Sequence, residues 1–225
     1  MRSKLLATNS YIAEIKPEEK AYIEGFFGGQ TEDFLEQTRT FLTLLLEENE
    51  KHNLIGENTV AYIWQRHILD SLQLTEYLIN SKSEIVIDLG SGGGFPAIPL
   101  AIAMRTLGAK KHFILVEKSP VKAAFLRNTL AKLQLDGKIF NSVIDKNNFQ
   151  TLAEEKKAMI TSRAFKSVAE ILAIAQDFVE EMVLLKGEKL EQELMEAQNK
   201  HLLGNWQFET IMSITGVGMV LWMYR

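Results

Sequence analysis

The spacing of hydrophobic positions changes once along the chain, near residue 81. Over residues 31–53, Phe34, Leu35, Thr38, Phe41, Leu42, Leu45 and Leu46 recur at spacings of three and four, with acids and polar residues between them. That period predicts an amphipathic helix with one buried face. Thr31 is its expected N-cap, followed by Glu32 and Asp33 where the helix dipole favours negative charge. Gly25, Gly28 and Gly29 separate this helix from a shorter one before it, and a second long helix is expected from Asn58 through Trp64 and Leu72 to Leu78. Residues 1–80 therefore read as an N-terminal helical extension.

After residue 81 the pattern is that of a sheet. Residues 85–89 read Ile-Val-Ile-Asp-Leu, a short β-branched run suited to a strand buried on both faces. Strand-like segments at 112–117, 138–142, 158–162 and 182–186 then alternate with helical ones at 121–133, 168–179 and 190–203. Such alternation predicts βαβ units, and so a parallel sheet with helices on both faces. The end of the chain departs from this. Residues 206–214 and 217–224 are two strand candidates joined by Thr215-Gly216, which predicts an antiparallel hairpin at a sheet edge. The expected fold is α/β, with a Rossmann-like, mostly parallel sheet over residues 81–225, a C-terminal hairpin and N-terminal helices.

Composition narrows the class. A chain of 225 residues holds one full α/β domain with a smaller appendage. It has no cysteine, which removes disulfides, thiolate nucleophiles and cysteine-based zinc sites. His52, His67, His112 and His201 show no ligand spacing, so no metal is expected. The apolar stretch at residues 1–7 is too short for a signal peptide, and no window approaches the roughly 18 apolar residues of a membrane span. The expected location is the cytoplasm, away from membranes. A net charge of −4 gives no global attraction for nucleic acid, but a local basic face would suffice, because phosphate contacts act over about 8 Å. Lys110-Lys111-His112, Lys118 with Lys122 and Arg127, and Lys156-Lys157 are the candidate patches.

The candidate chemistry centres on Asp88-Leu89-Gly90-Ser91-Gly92-Gly93-Gly94-Phe95-Pro96, between the first strand and a helix opening near Pro96 or Ala97. Gly92, Gly93 and Gly94 permit positive φ and close approach of a ligand to the backbone. In an open α/β sheet the ligand lies at the carboxyl ends of the strands, so the loop is read as a site for a nucleoside-containing cofactor. Gly92, Gly94 and Ala97 satisfy the dinucleotide pattern in one frame, but that frame leaves Leu89-Gly90-Ser91 between strand and motif and puts Pro96 inside it. Asp88 favours a different ligand: a carboxylate suits the ammonium of a methionine moiety and repels a pyrophosphate. Its alternative role is to cap the loop's own amides. Glu117, closing the second strand, is placed to accept from ribose hydroxyls. These features point to S-adenosyl-L-methionine.

Several further segments converge on one family. His52-Asn53-Leu54-Ile55, Trp64-Gln65-Arg66-His67-Ile68-Leu69-Asp70-Ser71-Leu72, the glycine loop with Phe95-Pro96 and Pro99-Leu100, the run from Lys122 to Arg127, Thr161-Ser162-Arg163-Ala164 and Leu184-Leu185-Lys186-Gly187 closely resemble, in order, the bacterial RsmG family, also called glucose-inhibited division protein B. The resemblance implies methylation of guanine N7 in small-subunit (16S) ribosomal RNA with S-adenosyl-L-methionine as donor, and the RNA or the 30S subunit as partner. It also implies cofactor contacts at Gly90, Phe95, Ile144, Asp145 and Arg163. Ile144-Asp145, after Val143, stands where the family usually has alanine-glutamate after arginine, and residues 214–224 lack the basic residues with which the family tends to finish.

Guanine N7 carries a lone pair and needs no proton removed, so no general base is expected and Arg163 is assigned an orienting role. His67, Asp70 and Ser71 fall at i, i+3 and i+4 on one helical face, which either meets RNA or packs on the main domain with Arg66 paired to Asp70. Lys186 is a candidate phosphate contact. The alternative function is a cofactor-binding, ribosome-associated scaffold of the same fold with weak or altered catalysis. A small-molecule methyltransferase is disfavoured by the lack of an aromatic-rich insertion.

Overall fold

The computed structural model describes residues 11, 12, 14–153 and 158–225; the readings at residues 1–7 and at Lys156-Lys157 lie outside the described residues. Helices α1 (Pro17–Phe27) and α2 (Thr31–His52) follow one another through a 3-10 turn at Gly28–Gln30. Because that turn runs straight into α2, Thr31 is its first helical residue rather than its N-cap, and its hydroxyl donates to the Gly28 carbonyl at 2.6 Å.

The expected second long helix is broken. Glu57–Tyr62 is 3-10, Trp64–Leu69 is π-wound, Asp70–Leu72 makes one α turn, and α3 spans Thr75–Asn80. The π winding has an identifiable partner. Asp70 N–H reaches the Gln65 carbonyl five residues back, while the Arg66 carbonyl accepts from Arg163 Nη1 at 3.0 Å. A tertiary donor thus competes for a carbonyl that an α-helix would use internally.

Seven strands form one sheet: β1 (Ile85–Leu89), β2 (His112–Val116), β3 (Gly137–Phe140), β4 (Ala158–Arg163), β5 (Glu181–Lys186), β6 (Gln207–Met212) and β7 (Met219–Tyr224). Their order is β3-β2-β1-β4-β5-β7-β6. The first five are parallel, and β7 pairs antiparallel with both β5 and β6, so the hairpin closes one edge. Helices α4 (Ala97–Thr106), α5 (Pro120–Leu133), α6 (Lys146–Leu152), α7 (Val168–Ala175) and α8 (Leu190–Asn199) fill the connections. Periodicity did not anticipate α6, a seven-residue helix whose N-cap Asp145 accepts from Asn148 N at 2.9 Å.

Side chains in a strand alternate between faces, and this divides the core. Val86, Phe113, Met159 and Val183 face the cluster that contains Phe34, Phe41, Leu45, Ile68 and Leu72. Ile87, Ile114, Ile160 and Leu184 face the opposite cluster with Val168, Leu172 and Met223. The N-terminal helices therefore share a continuous core with one face of the sheet.

Phe41 links these helices to the glycine loop: it is fully buried, with its ring centroid 5.3 Å from that of Phe95. Phe41→Ala is expected to cost about 3–5 kcal/mol, read as a lower urea midpoint with an unchanged slope; a change below about 1 kcal/mol would contradict this packing role.

Candidate functional site

The order of the parallel strands reverses between β1 and β4, so the crevice outside their carboxyl ends is where this architecture places a ligand. The register sets Asp88 beside Thr161 and Leu89 beside Ser162. Asp88, Thr161 and Arg163 share the strand parity of Val86 and Met159, and so belong to the face covered by the N-terminal helices.

The loop after β1 is held by backbone and by one carboxylate. Gly90 N and Ser91 N both donate to the Val116 carbonyl, at 2.9 and 3.1 Å. Glu117 accepts from Gly92 N at 2.9 Å through Oε2 and from Ser119 N at 2.7 Å through Oε1, joining the loop after β1 to the loop after β2. Each oxygen retains acceptor capacity. Gly90, at φ +74°, could not carry a side chain, since a Cβ there would stand 2.5 Å from the Phe165 ring. Gly94, at φ +94°, serves packing: its Cβ would meet Ile98 at 2.8 Å and Leu126 and Phe41 at 3.3 Å. Gly92, at φ +54°, is less confined: a Cβ there would meet the Gly90 carbonyl oxygen at 3.7 Å, an ordinary contact.

A cavity of about 600 Å³ opens over this loop. Gly90, Gly92, Phe95, Glu117, Ile144 and Arg163, all expected from the sequence, line it. Asp145 does not: its carboxylate is spent capping α6. Asp88 is also absent from the lining. It is fully buried beneath the loop, where its Oδ1 accepts from the Thr161 hydroxyl at 3.2 Å and its Oδ2 has no hydrogen-bond partner. Burial pushes its carboxyl up to about 7. Its place is under the loop rather than against a ligand's ammonium.

Arg163 is the most heavily partnered cation of the site. Besides the Arg66 carbonyl, its Nη2 donates to His67 Nδ1 at 2.8 Å, Nη1 lies 3.8 Å from Asp70 Oδ2, and its guanidinium carbon sits 4.8 Å from the Phe95 ring centre. Guanidinium nitrogens only donate, so His67 Nδ1 must accept and Nε2 carries the proton, donating to Thr59 Oγ1 at 2.8 Å. Burial, with Arg163 and Arg66 nearby, pushes His67 down to about 3. Asp70 finds its cation in Arg163, and its Oδ1 accepts from Gln73 Nε2 at 2.9 Å and Ser213 Oγ at 3.0 Å. This helical face thus packs on the main domain through Ser71 and the Asp70–Ser213 bond, while His67 and Asp70 also border a cavity.

A second cavity, of about 440 Å³, adjoins the first and shares Arg163, Ala164, Phe165 and Lys166 with it. His67 and Lys186 both border it. Lys186, however, is internally satisfied: Nζ lies 2.5 Å from Glu193 Oε2 and donates to the Lys166 carbonyl at 2.7 Å. With a side chain only 7% exposed, it is not a free phosphate contact. Sequence reasoning missed Phe165 and Lys166, although their place directly after the carboxyl end of β4 is a signal that could have found them. Among the described residues no group of three or more acidic or histidine side chains could hold a metal, and no helix is long and apolar enough to cross a membrane.

The family model for GidB, rRNA small subunit methyltransferase G, matches residues 34–217. The chain belongs to this family. It is 34% identical over 174 residues to a ribosomal RNA small subunit methyltransferase G of Dinoroseobacter shibae, covering 76% of this chain and 84% of the relative. It is 35% identical over 194 residues to a Rickettsia prowazekii protein of the same name, covering 84% and 93%. Among solved structures, an O-methyltransferase from Bacillus cereus in complex with SAH is 12% identical, with a TM-score of 0.56 over 83% of this chain and 91% of that one. An rRNA methylase from Streptococcus thermophilus is 14% identical, with a TM-score of 0.50 over 70% and 94%. These two likenesses establish that this GidB-family chain has the fold of methyltransferases.

The buried pair His67 and Asp88 makes opposite contributions to pH dependence. Asp88, raised from 3.8 to about 7, stabilises the fold fully below pH 3.8, and this is lost as pH rises through about 7. His67, lowered from 6.5 to about 3, contributes fully above pH 6.5, and this is lost as pH falls through about 3. Asp88→Asn removes the first and leaves the second. Urea midpoints taken between pH 7.5 and 5 should therefore fall more steeply on acidification in the variant than in the native chain; parallel profiles would show Asp88 to titrate normally.

Proposed function

We propose that this chain transfers a methyl group from S-adenosyl-L-methionine to guanine N7 in small-subunit (16S) ribosomal RNA. The observation that carries the reading is the pair of adjoining cavities at the switch point, one over the glycine loop and one beside it, with Arg163 to Lys166 as their common wall. A two-substrate transfer needs two ligands held side by side, and the family membership supports which two they are.

The residues present fit this donor. Glu117 lies at the β2 end with acceptor capacity left for ribose hydroxyls, Ile144 supplies an apolar wall for an adenine, and Gly92 leaves the loop backbone open to the ligand. When bound, the donor supplies a methyl on a cationic sulfur that is ready to leave as a neutral thioether. Guanine N7 carries a lone pair that would take this methyl with no proton to be removed. The chain's work is therefore orientation. His67 suits that demand: held neutral with both nitrogens engaged, it fixes Arg163 rather than serving as a base. A ribosomal RNA substrate, free or in the 30S subunit, supports a cytoplasmic site of action.

Purified protein with methyl-labelled donor should label the RNA of 30S subunits from a strain lacking the gene, at a nucleotide cleaved by the borohydride and aniline treatment that marks N7-methylguanine. Donor binding without incorporation would favour the scaffold reading instead. Gly92→Val puts a β-branched side chain at positive φ in the lining of the first cavity. It is expected to weaken S-adenosylhomocysteine binding more than about tenfold with an unchanged circular dichroism spectrum, as measured by calorimetry; unaltered affinity would mean that the loop is not the cofactor site.

A further inference from the structure

We infer that the second cavity reads the target base and that Asp70 selects guanine in it by accepting from the base's N1–H and N2–H groups. The inference rests on the methyl transfer to guanine proposed above and names the residue that recognises the acceptor.

Three features mark the cavity as a built site. Its volume of about 440 Å³ falls in the range that encloses a small ligand such as one nucleotide. Ala164, in the wall shared with the first cavity, holds φ +51°, a left-handed conformation that costs energy for a residue with a Cβ. That bend lays Phe165 against Gly90. An aromatic ring bordering both cavities offers a stacking face for an extruded base beside the donor. The π-wound segment also lines the cavity through Arg66 and His67, both bonded to Arg163, and such irregular winding is a frequent mark of function.

Within this cavity Asp70 is the carboxylate beside Arg163, a residue of the wall shared with the first cavity. Glu193, which also borders it, is engaged by Lys186 Nζ at 2.5 Å and Val168 N at 2.9 Å through the same oxygen. Asp70 Oδ1 is fixed by Gln73 and Ser213, which set the plane of the carboxylate. Oδ2 faces Arg163 Nη1 at 3.8 Å, an ion-pair distance rather than a hydrogen bond. A carboxylate accepts about four hydrogen bonds, so two adjacent donors can still be taken. Guanine offers two adjacent donors, N1–H and the N2 amino group. Adenine offers a bare N1 lone pair there, which the carboxylate repels.

The chemistry of the transfer strengthens this choice. N7 lies on the edge of the purine remote from N1 and N2, so a base held at Asp70 leaves N7 unobstructed. Methylation puts a unit positive charge on the ring and makes N1–H a better donor. A carboxylate at that edge therefore gains as the charge develops, and its effect falls on kcat as well as KM.

The test uses 30S particles reconstituted with RNA carrying guanine or inosine, which lacks the N2 amino group, at the nucleotide that the native enzyme methylates. The native enzyme is expected to lose about tenfold or more in kcat/KM on inosine, the effect of one missing hydrogen bond to a charged group. Asp70→Asn keeps an oxygen for Gln73 and Ser213; it is expected to lose about a hundredfold on guanine, largely in kcat, with its guanine-to-inosine ratio falling toward one. S-adenosylhomocysteine affinity should stay within about twofold. Equal rates of the native enzyme on guanine and inosine would overturn the inference without reference to any variant. So would an Asp70→Asn enzyme that keeps the native ratio, or one whose loss of transfer is matched by loss of S-adenosylhomocysteine binding, which would make Asp70 a support for Arg163. Absence of transfer to guanine by the native enzyme would remove the proposed function itself.

Discussion

A guanidinium buried at the end of the fourth strand must find partners, and Arg163 finds its polar ones in the segment that precedes the sheet. The Arg66 carbonyl, His67 Nδ1, Asp70 and the Phe95 ring together surround it. Leaving such a cation uncompensated costs several kcal/mol, on the order of 3–5 when a buried pair is broken. That requirement accounts for otherwise separate features. It draws a carbonyl out of the local helix and gives the π winding, fixes the tautomer of His67, and ties the N-terminal helices to the carboxyl ends of β1 and β4. The packing of Phe41 on Phe95 adds an apolar tie at the same junction.

The site inherits its form from this junction. On one side of Arg163 the glycine loop, braced by Glu117, presents backbone to a ligand. On the other, the π-wound segment and the β6–β7 turn enclose a second space, with Ser213 of that turn bonded to Asp70. The antiparallel hairpin thus completes a wall of the acceptor cavity as well as closing the sheet. Both cavities meet at Ala164, Phe165 and Lys166. A neutral histidine and a cation with every partner close at hand form a site organised for alignment. This agrees with a reaction in which the nucleophile arrives with its lone pair free.

Local signals were sufficient where the physics is local. The three-and-four spacing of Phe34 to Leu46 gave away α2, alternation of β-branched runs with helical ones foretold a parallel sheet, and Thr215-Gly216 between two strand-like runs announced the hairpin. The glycine loop was legible for the same reason: positive φ at Gly90, Gly92 and Gly94 is a demand that one residue type meets at no cost. Resemblance added Phe95, Ile144 and Arg163 to the cavity, and the family match agrees with it. Where a side chain had more than one possible use, the sequence left the choice open. Asp145 caps a helix that periodicity over seven residues was too short to reveal, and Lys186 turns to Glu193 and away from solvent.

The sequence by itself determined α2, the alternation of strands and helices, the hairpin and the position of the loop, because propensity and period act over a few residues at a time. The tertiary structure alone decided the partners of the buried charges. Asp88 came to lie under the loop beside Thr161, and Asp70 beside Arg163 rather than Arg66, through strand register and through contacts between residues almost a hundred positions apart. Desolvation and ion pairing depend on what stands within a few ångströms in space, and that neighbourhood exists only once the sheet has paired and the N-terminal helices have closed over it.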